Sequence, residues 1–230
     1  VIQDFDCSKQ HYGHVKNHPE LIDINYHNGF NNDWMHTNSI DYNPELDQIL
    51  ISNRHLCEIW IIDHSTTTSE SRGHSGGNSG KGGDILYRWG NPISYRAGDS
   101  NDQILAYQHD PTWVEEGCPG EGNILIYNNG GGAIIEITPP LNGNNYFLEK
   151  GKSYGPENPT WQYNCETSDI MSGAQRLANG NTLISHNSGE LVEIDASKNE
   201  VWNYNGLRIF NAKRYSVDPE TLEIPVNYDT

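Results

Sequence analysis

An all-β propeller is the fold class this sequence predicts, on three observations. A strand-turn-strand-turn-strand unit returns three times, 23 glycines punctuate the turns, and apolar residues make up only 34% of the chain. Regularly spaced short strands separated by polar turns mark repeat β architectures, in which each sheet buries its faces against its neighbours. All 230 residues are read as one propeller domain, in which residues 1 to 33 form an N-terminal segment without a clear blade.

The segment SKQHYGHVKNHPELIDI opens the chain's readable part and sets His11, His14 and His18 on one face if it is helical. Pro19 would stop that helix, and spacing fixes no carboxylate or fourth ligand, so the segment is read as polar surface and no metal site is assigned. The first copy, MHTNSIDYNPELDQILISNRHLCEIWIIDHS, runs from Met35 to Ser65. Within it DYNPELD sets Asp41, Asn43, Glu45 and Asp47 at alternate positions, as calcium loops do, but the sharp-turn glycine is missing and Pro44 suits an ordinary β-turn. The run STTTSESRGHSGGNSGKGGD, between Ser65 and Asp84, is nearly free of apolar residues and is expected to be a long surface loop, a functional lid or a flexible segment.

The second copy, from Gln108 to Pro140, contains the run NNGGGA from Asn128 to Ala133, read as a hairpin turn. The third copy runs from Ser172 to Tyr204, and the tail RIFNAKRYSVDPE is expected to pack an arginine-rich strand back on the ring. Aligned, the copies place His36, His109 and Gly173 at the mouth of the innermost strand, four residues before Ile40, Trp113 and Leu177. Innermost strands line a propeller's channel, so the two imidazoles are expected to face one pocket. Trp89, Trp161 and Trp202, in LYRWGN, TWQYN and VWNYN, mark strands that open or close blades and are read as wedges packed between blades.

The formal charge of -17, with only 14 scattered Lys and Arg, argues against nucleic acid and against anionic membranes. No apolar run reaches the length of a membrane span, and Val1 opens no signal-peptide pattern, as expected of a mature or truncated product. Cys7, Cys57, Cys118 and Cys165 lack metal-site spacing. They are read as disulfide formers, with Cys118 and Cys165 the favoured pair, and an extracellular or periplasmic setting follows from that reading.

The strings DWMHTNSIDYNPELDQILIS, EIWIIDHSTTT, GGNSGKGGDILYRWGNP, QHDPTW, GNILIYNNG, YGPENPTWQY and SGAQRLANGNTLI resemble the arylsulfotransferase family over about residues 31 to 215. The resemblance implies a six-bladed propeller, exported in bacteria, that moves a sulfuryl group from a phenolic sulfate ester to a phenol through a sulfohistidine, without a cofactor. By motif, His36 in DWMHTNS and His109 in QHDPTW match two channel histidines that hold the sulfuryl group and trade protons. Asn38, Asn128 and Gln175 are the polar side chains expected to meet substrate.

Two departures from the family pattern stand out. An arginine expected shortly after the second histidine is replaced by Asn128 and Asn129, leaving Arg176 to supply the positive charge, and the nucleophilic histidine of a later blade has His186 as its counterpart. Three copies also leave a six-bladed ring open, so further blades come from looser segments, from a longer chain or from self-assembly. An arylsulfotransferase-like enzyme and an inactive propeller that serves as a binding or structural module therefore both stand at this point.

Overall fold

A computed structural model describes residues 3–4, 15–26, 29, 32–167 and 170–215. Each of the three sequence copies supplies three strands of a four-stranded antiparallel sheet or, in the third copy, all four. Blade one consists of β1 (Thr37–Asn43), β2 (Gln48–Asn53), β3 (Glu58–Asp63) and β4 (Ile85–Trp89). Blade two consists of β5 (His109–Trp113), β6 (Ile124–Asn128), β7 (Ala133–Ile137) and β8 (Trp161–Asn164). Blade three consists of β9 (Gly173–Arg176), β10 (Thr182–Ser185), β11 (Glu190–Ile194) and β12 (Glu200–Asn205). Each of these three four-stranded sheets is an up-and-down meander in chain order, the topology of a propeller blade; two short two-stranded pairs complete the described sheets.

Successive side chains on a strand point to opposite faces, and the apolar residues use both. Ile124 and Ile126 of β6 pack with Leu50, Ile59, Ile61 and Trp89 of blade one. Leu125 and Tyr127, one residue out of phase, pack with Ala174, Ile184 and Ile194 of blade three. Blade two is thus buried on both faces, each fully buried Ile or Leu contributing about 1.5–3 kcal/mol. The inner strands β1, β5 and β9 lie side by side, β5 in the middle.

The outer face of blade one is covered by the N-terminal segment that carried no blade signature: Ile22, Ile24, Tyr26, Trp34 and Met35 gather on Leu56, Trp60 and Ile85. A buried strut crosses this layer. The Arg88 guanidinium donates to both Glu58 oxygens, at 2.9 and 2.6 Å, and to the carbonyls of Pro19 and Leu21, at 3.3 and 2.9 Å. It lies over the rings of Trp60 and Tyr95. Pairing and full hydrogen bonding are what allow these charges to be buried.

Some expectations hold and others are corrected. Trp89 is a wedge between blades and Trp161 packs against the second seam, but Trp202 lies on the exposed outer strand, stacked on Tyr204 with the Arg214 guanidinium 5.0 Å from its ring. Cys118 and Cys165 are free thiols beside that same seam, which removes the disulfide argument for export. Cys7, His11 and His14 lie outside the described residues. Up to residue 215 the tail returns to blade three with no strand among its described residues: Gln175 clamps the Arg214 backbone on both sides, and Ser185 holds Ala212. DYNPELD is an ordinary hairpin turn, its polar groups engaged separately by Trp113, Leu46 and Tyr42.

The long loop from Ser65 to Asp84 is organised around one carboxylate. Asp63 accepts from the Ser65 backbone and hydroxyl, at 2.9 and 2.5 Å, and from the Ser79 backbone at 2.8 Å as well as its hydroxyl. Burial pushes the Asp63 carboxyl up, and these four donors outweigh it and hold it below its ordinary value. Gly77, with φ at +68°, passes so close to the Asp63 carboxylate that no side chain fits there. Asp63→Ala is expected to lower the unfolding free energy by about 1–3 kcal/mol and to expose residues 65–84 to limited proteolysis, measured by denaturant titration and by mass mapping of the first cut.

Candidate functional site

The register of β1 on β2 builds the first half of the site. Thr37 pairs with Asn53, so the residue before β1 faces the residue after β2. The Arg54 amide donates to the His36 carbonyl and the His55 amide to that of Met35, both at 3.1 Å. Asp33, His36, Arg54 and His55 are thereby collected at one end of blade one. His36 Nδ1 donates to the Asp33 carboxylate. His55 Nδ1 donates to the Asp33 carbonyl at 2.6 Å, and the two imidazole centroids are 4.6 Å apart.

The second half is held against the first by side chains that cross the seam. Asn38 of β1 donates to the Gln108 carbonyl at 2.8 Å, and the Gln108 side-chain amide reaches Ser52 Oγ, the Asn53 carbonyl and the Glu58 carbonyl at 3.2, 3.2 and 3.0 Å. Farther along, the Trp113 amide donates to Asp41 Oδ2 at 2.8 Å. With Gln108 locked into blade one, His109 comes near enough to His36 and Arg54 for both to disfavour its protonation.

His109 is buried, and its tautomer follows from its partners. Nδ1 lies 2.9 Å from Asn129 Oδ1 and 3.1 Å from the Tyr107 carbonyl. The Asn129 amide is oriented because its Nδ2 donates to the Met171 carbonyl at 2.9 Å. Both atoms facing Nδ1 are acceptors, so the neutral ring carries its proton there and keeps the lone pair on Nε2. Burial lowers the His109 pKa, the Asn129 bond opposes that, and Arg54 reinforces it. The Arg54 guanidinium lies 4.9 Å over the Tyr107 ring.

His186 sits in a different setting. Its Nδ1 is 2.8 Å from the Tyr127 hydroxyl, to which the Cys165 thiol also points at 3.6 Å. Burial pushes the Tyr127 phenol far up and the His186 imidazole down. A phenol that keeps its proton donates it to neutral Nδ1, which leaves the His186 proton on Nε2, the opposite tautomer to that of His109. The two histidines are joined through neighbouring residues, since Met171 receives the Asn129 amide and Ser172 bonds the Tyr127 hydroxyl.

Backbone strain gathers at the same end. His36, Tyr107, Asp110, Met171 and Ser172 take φ of 48°, 55°, 49°, 56° and 80°, a left-handed region costly for non-glycine residues and concentrated at functional sites. Gly173, which stands where the other copies have histidine, has its side-chain space filled by the Asp110 carboxylate.

Other expected site residues have structural partners. Asn128 receives the Ala106 amide at 2.7 Å and donates to the Ile104 carbonyl at 2.9 Å, so it ties down a loop, and Asn129 is the one that meets a histidine. Asn38 positions Gln108, and Gln175 holds the tail. Arg176 is buried at the far end of β9, donating to Glu136 and Thr182, both at 2.5 Å, beneath Trp161. The charge near His109 comes instead from Arg54, and its signal was the short turn between β1 and β2, which obliges NRH to come back beside DWMH.

A groove of about 570 Å³ runs between the inner strands, lined by residues including Asp41, Asp110, Thr112, Gln175, Arg176 and Lys213. Burial raises the carboxyls of Asp41 and Asp110, and Glu45, Glu115, Glu116 and Glu121 add further acid to its walls. The groove is therefore mainly acidic, with Lys213 and the paired Arg176 as its cations.

The family described as Arylsulfotransferase (ASST) matches residues 9–203. No curated protein matches the chain. Among solved structures it is similar to a protein of unknown function from Bacteroides caccae, at 14% identity and a TM-score of 0.41, covering 74% of this chain and 50% of that one. BamB from Moraxella catarrhalis is similar at 14% identity and a TM-score of 0.38, covering 74% and 38%. A streptogramin B lyase is similar at 12% and 0.38, covering 78% and 44%. The chain spans half or less of the length of these structures.

His109 is expected to titrate below the ordinary imidazole value of 6.5, read from its ring resonances by NMR across a pH series. The unfolded chain takes up the proton first, so the stability advantage of the parent over His109→Gln should shrink as pH falls from 6.5 through the lowered folded value.

Proposed function

The chain belongs to the arylsulfotransferase family, and from that premise we propose that it transfers a sulfuryl group between phenols with His109 as nucleophile. The observation that carries this reading is the His109 tautomer: Asn129 Oδ1 and the Tyr107 carbonyl hold its proton on Nδ1, leaving an Nε2 lone pair that burial keeps unprotonated. Nucleophilic catalysis needs that pairing of an oriented ring and an available lone pair.

In the proposed reaction Nε2 attacks the sulfur of a phenolic sulfate ester. The N–S bond forms as the S–O bond to the aryl group breaks, and the departing phenolate takes a proton from the His36 imidazolium, whose Nδ1 side is held by Asp33. A second phenol then attacks the sulfur and gives its proton to His36, and the N–S bond breaks to restore neutral His109. Arg54 balances the charge on the sulfuryl oxygens, a role suited to a fixed guanidinium in a partly buried site. His186 supports the site by holding Tyr127, and its proton on Nε2 makes it the poorer nucleophile.

Transfer from 4-nitrophenyl sulfate to phenol tests the reading. His109→Ala should lower kcat/KM by at least about 1,000-fold, and Asn129→Leu, which frees the tautomer, by roughly 100-fold, whereas Arg176→Lys leaves the rate near that of the parent. A folded parent protein without turnover points to the propeller as a binding module, and loss of activity in His186→Ala with activity retained in His109→Ala moves the nucleophile to blade three.

A further inference from the structure

We propose that Asp33, His36 and His55 form a binding site for a divalent transition-metal ion of the Zn2+ class. The inference goes beyond sulfuryl transfer, because it concerns a ligand that the transfer reaction does not use. One ligand atom from each of the three residues lies within 4.8 Å of the others. Tetrahedral zinc, with bonds of about 2.0–2.1 Å, sets its donors roughly 3.4 Å apart, so modest side-chain rotation closes the set.

The residues around the three donors are arranged as a metal centre requires. His55 Nδ1 donates to the Asp33 carbonyl at 2.6 Å, the outer bond that fixes the tautomer of a metal-bound imidazole and turns Nε2 toward the ion. The Asp33 carboxylate already lies against the His36 ring. Backbone bonds from Arg54 and His55 pin the segment carrying Asp33 and His36, and the Trp34 indole anchors it on the Tyr26 carbonyl at 2.5 Å. The positive φ of His36 shows that the surroundings hold it in a conformation it would not take alone. Its side chain is 42% exposed and that of Asp33 56%, which provides a path from solvent.

The donor set also selects the ion. Two imidazoles and one carboxylate suit zinc, nickel, copper or iron rather than calcium or magnesium, which take oxygen donors. Three protein ligands leave a fourth position for water, and the formal charge of -17 draws cations in general. A bound ion occupies His36, so Zn2+ is expected to slow a reaction that depends on His36 for proton exchange.

Isothermal titration of the chelator-treated full chain with ZnCl2 reads the site without turnover. One saturable site is expected, weakened at least about ten-fold in His55→Ala and in the exposed variant Asp33→Asn, unchanged in His64→Ala and His109→Ala, and absent with MgCl2. Co2+ in place of Zn2+ should show visible d–d absorption that these two weakened variants lose. Absence of saturable zinc uptake, uptake undiminished in folded Asp33→Asn, or equal uptake of magnesium would each overturn the proposal. Because His109→Ala removes the nucleophile and leaves the three ligands, failure of the transfer reading and failure of the metal site give separate results.

Discussion

The polar register of the seam between blades one and two is set chiefly by Gln108, alongside the bond from Trp113 to Asp41 and the apolar contacts. The Gln108 side chain is fully buried and reaches a hydroxyl and two carbonyls of blade one, while its own carbonyl receives the Asn38 amide. Apolar faces alone would let two sheets slide, since hydrophobic contact is non-directional. Hydrogen bonds to backbone carbonyls fix the sliding coordinate, and the residue after Gln108 is His109. The polar seam therefore sets where the second imidazole stands relative to the first.

Charge is distributed on the same principle of burial with partners. Arg88 with Glu58, and Arg176 with Glu136, are buried pairs; Arg88 also donates to two backbone carbonyls and Arg176 to Thr182 Oγ1, while Arg176 Nε has no partner among the described residues, and both guanidiniums lie over aromatic rings. They act as struts within and between sheets. Their charge is balanced locally and is withheld from the site. Arg54 sits at the histidine end, while the groove between the inner strands is mainly acidic. The hub thus sets Arg54 and the Asp33 carboxylate among the histidines at one end and a mainly acidic groove between the inner strands.

Much of the fold was legible in the sequence because short strands with period-two burial leave a direct trace. The copies beginning near Met35, Gln108 and Ser172 each became one sheet, and Trp89 and Trp161 became seam residues as their strand positions implied. The site was legible only in part. His36 and His109 came from motif and alignment, but Arg54 and His55 depend on cross-strand register, and the exchange of Asn128 for Asn129 depends on which face a hairpin turn presents. The loop after Ser65 was legible as a loop, but its organisation around Asp63, an acid at the end of the preceding strand, was not, because no composition profile registers such hydrogen bonds.

By itself the sequence determined the all-β class, the three four-stranded sheets and the strand each of His36, His109 and His186 adjoins or opens, since those depend on local periodicity and turn chemistry. Only the tertiary structure decided which nitrogen of His109 holds the proton, which arginine stands near it and which thiols stay apart. Those outcomes depend on groups distant in the chain meeting at hydrogen-bond range. Local pattern carries no information about such distances until the sheets have packed.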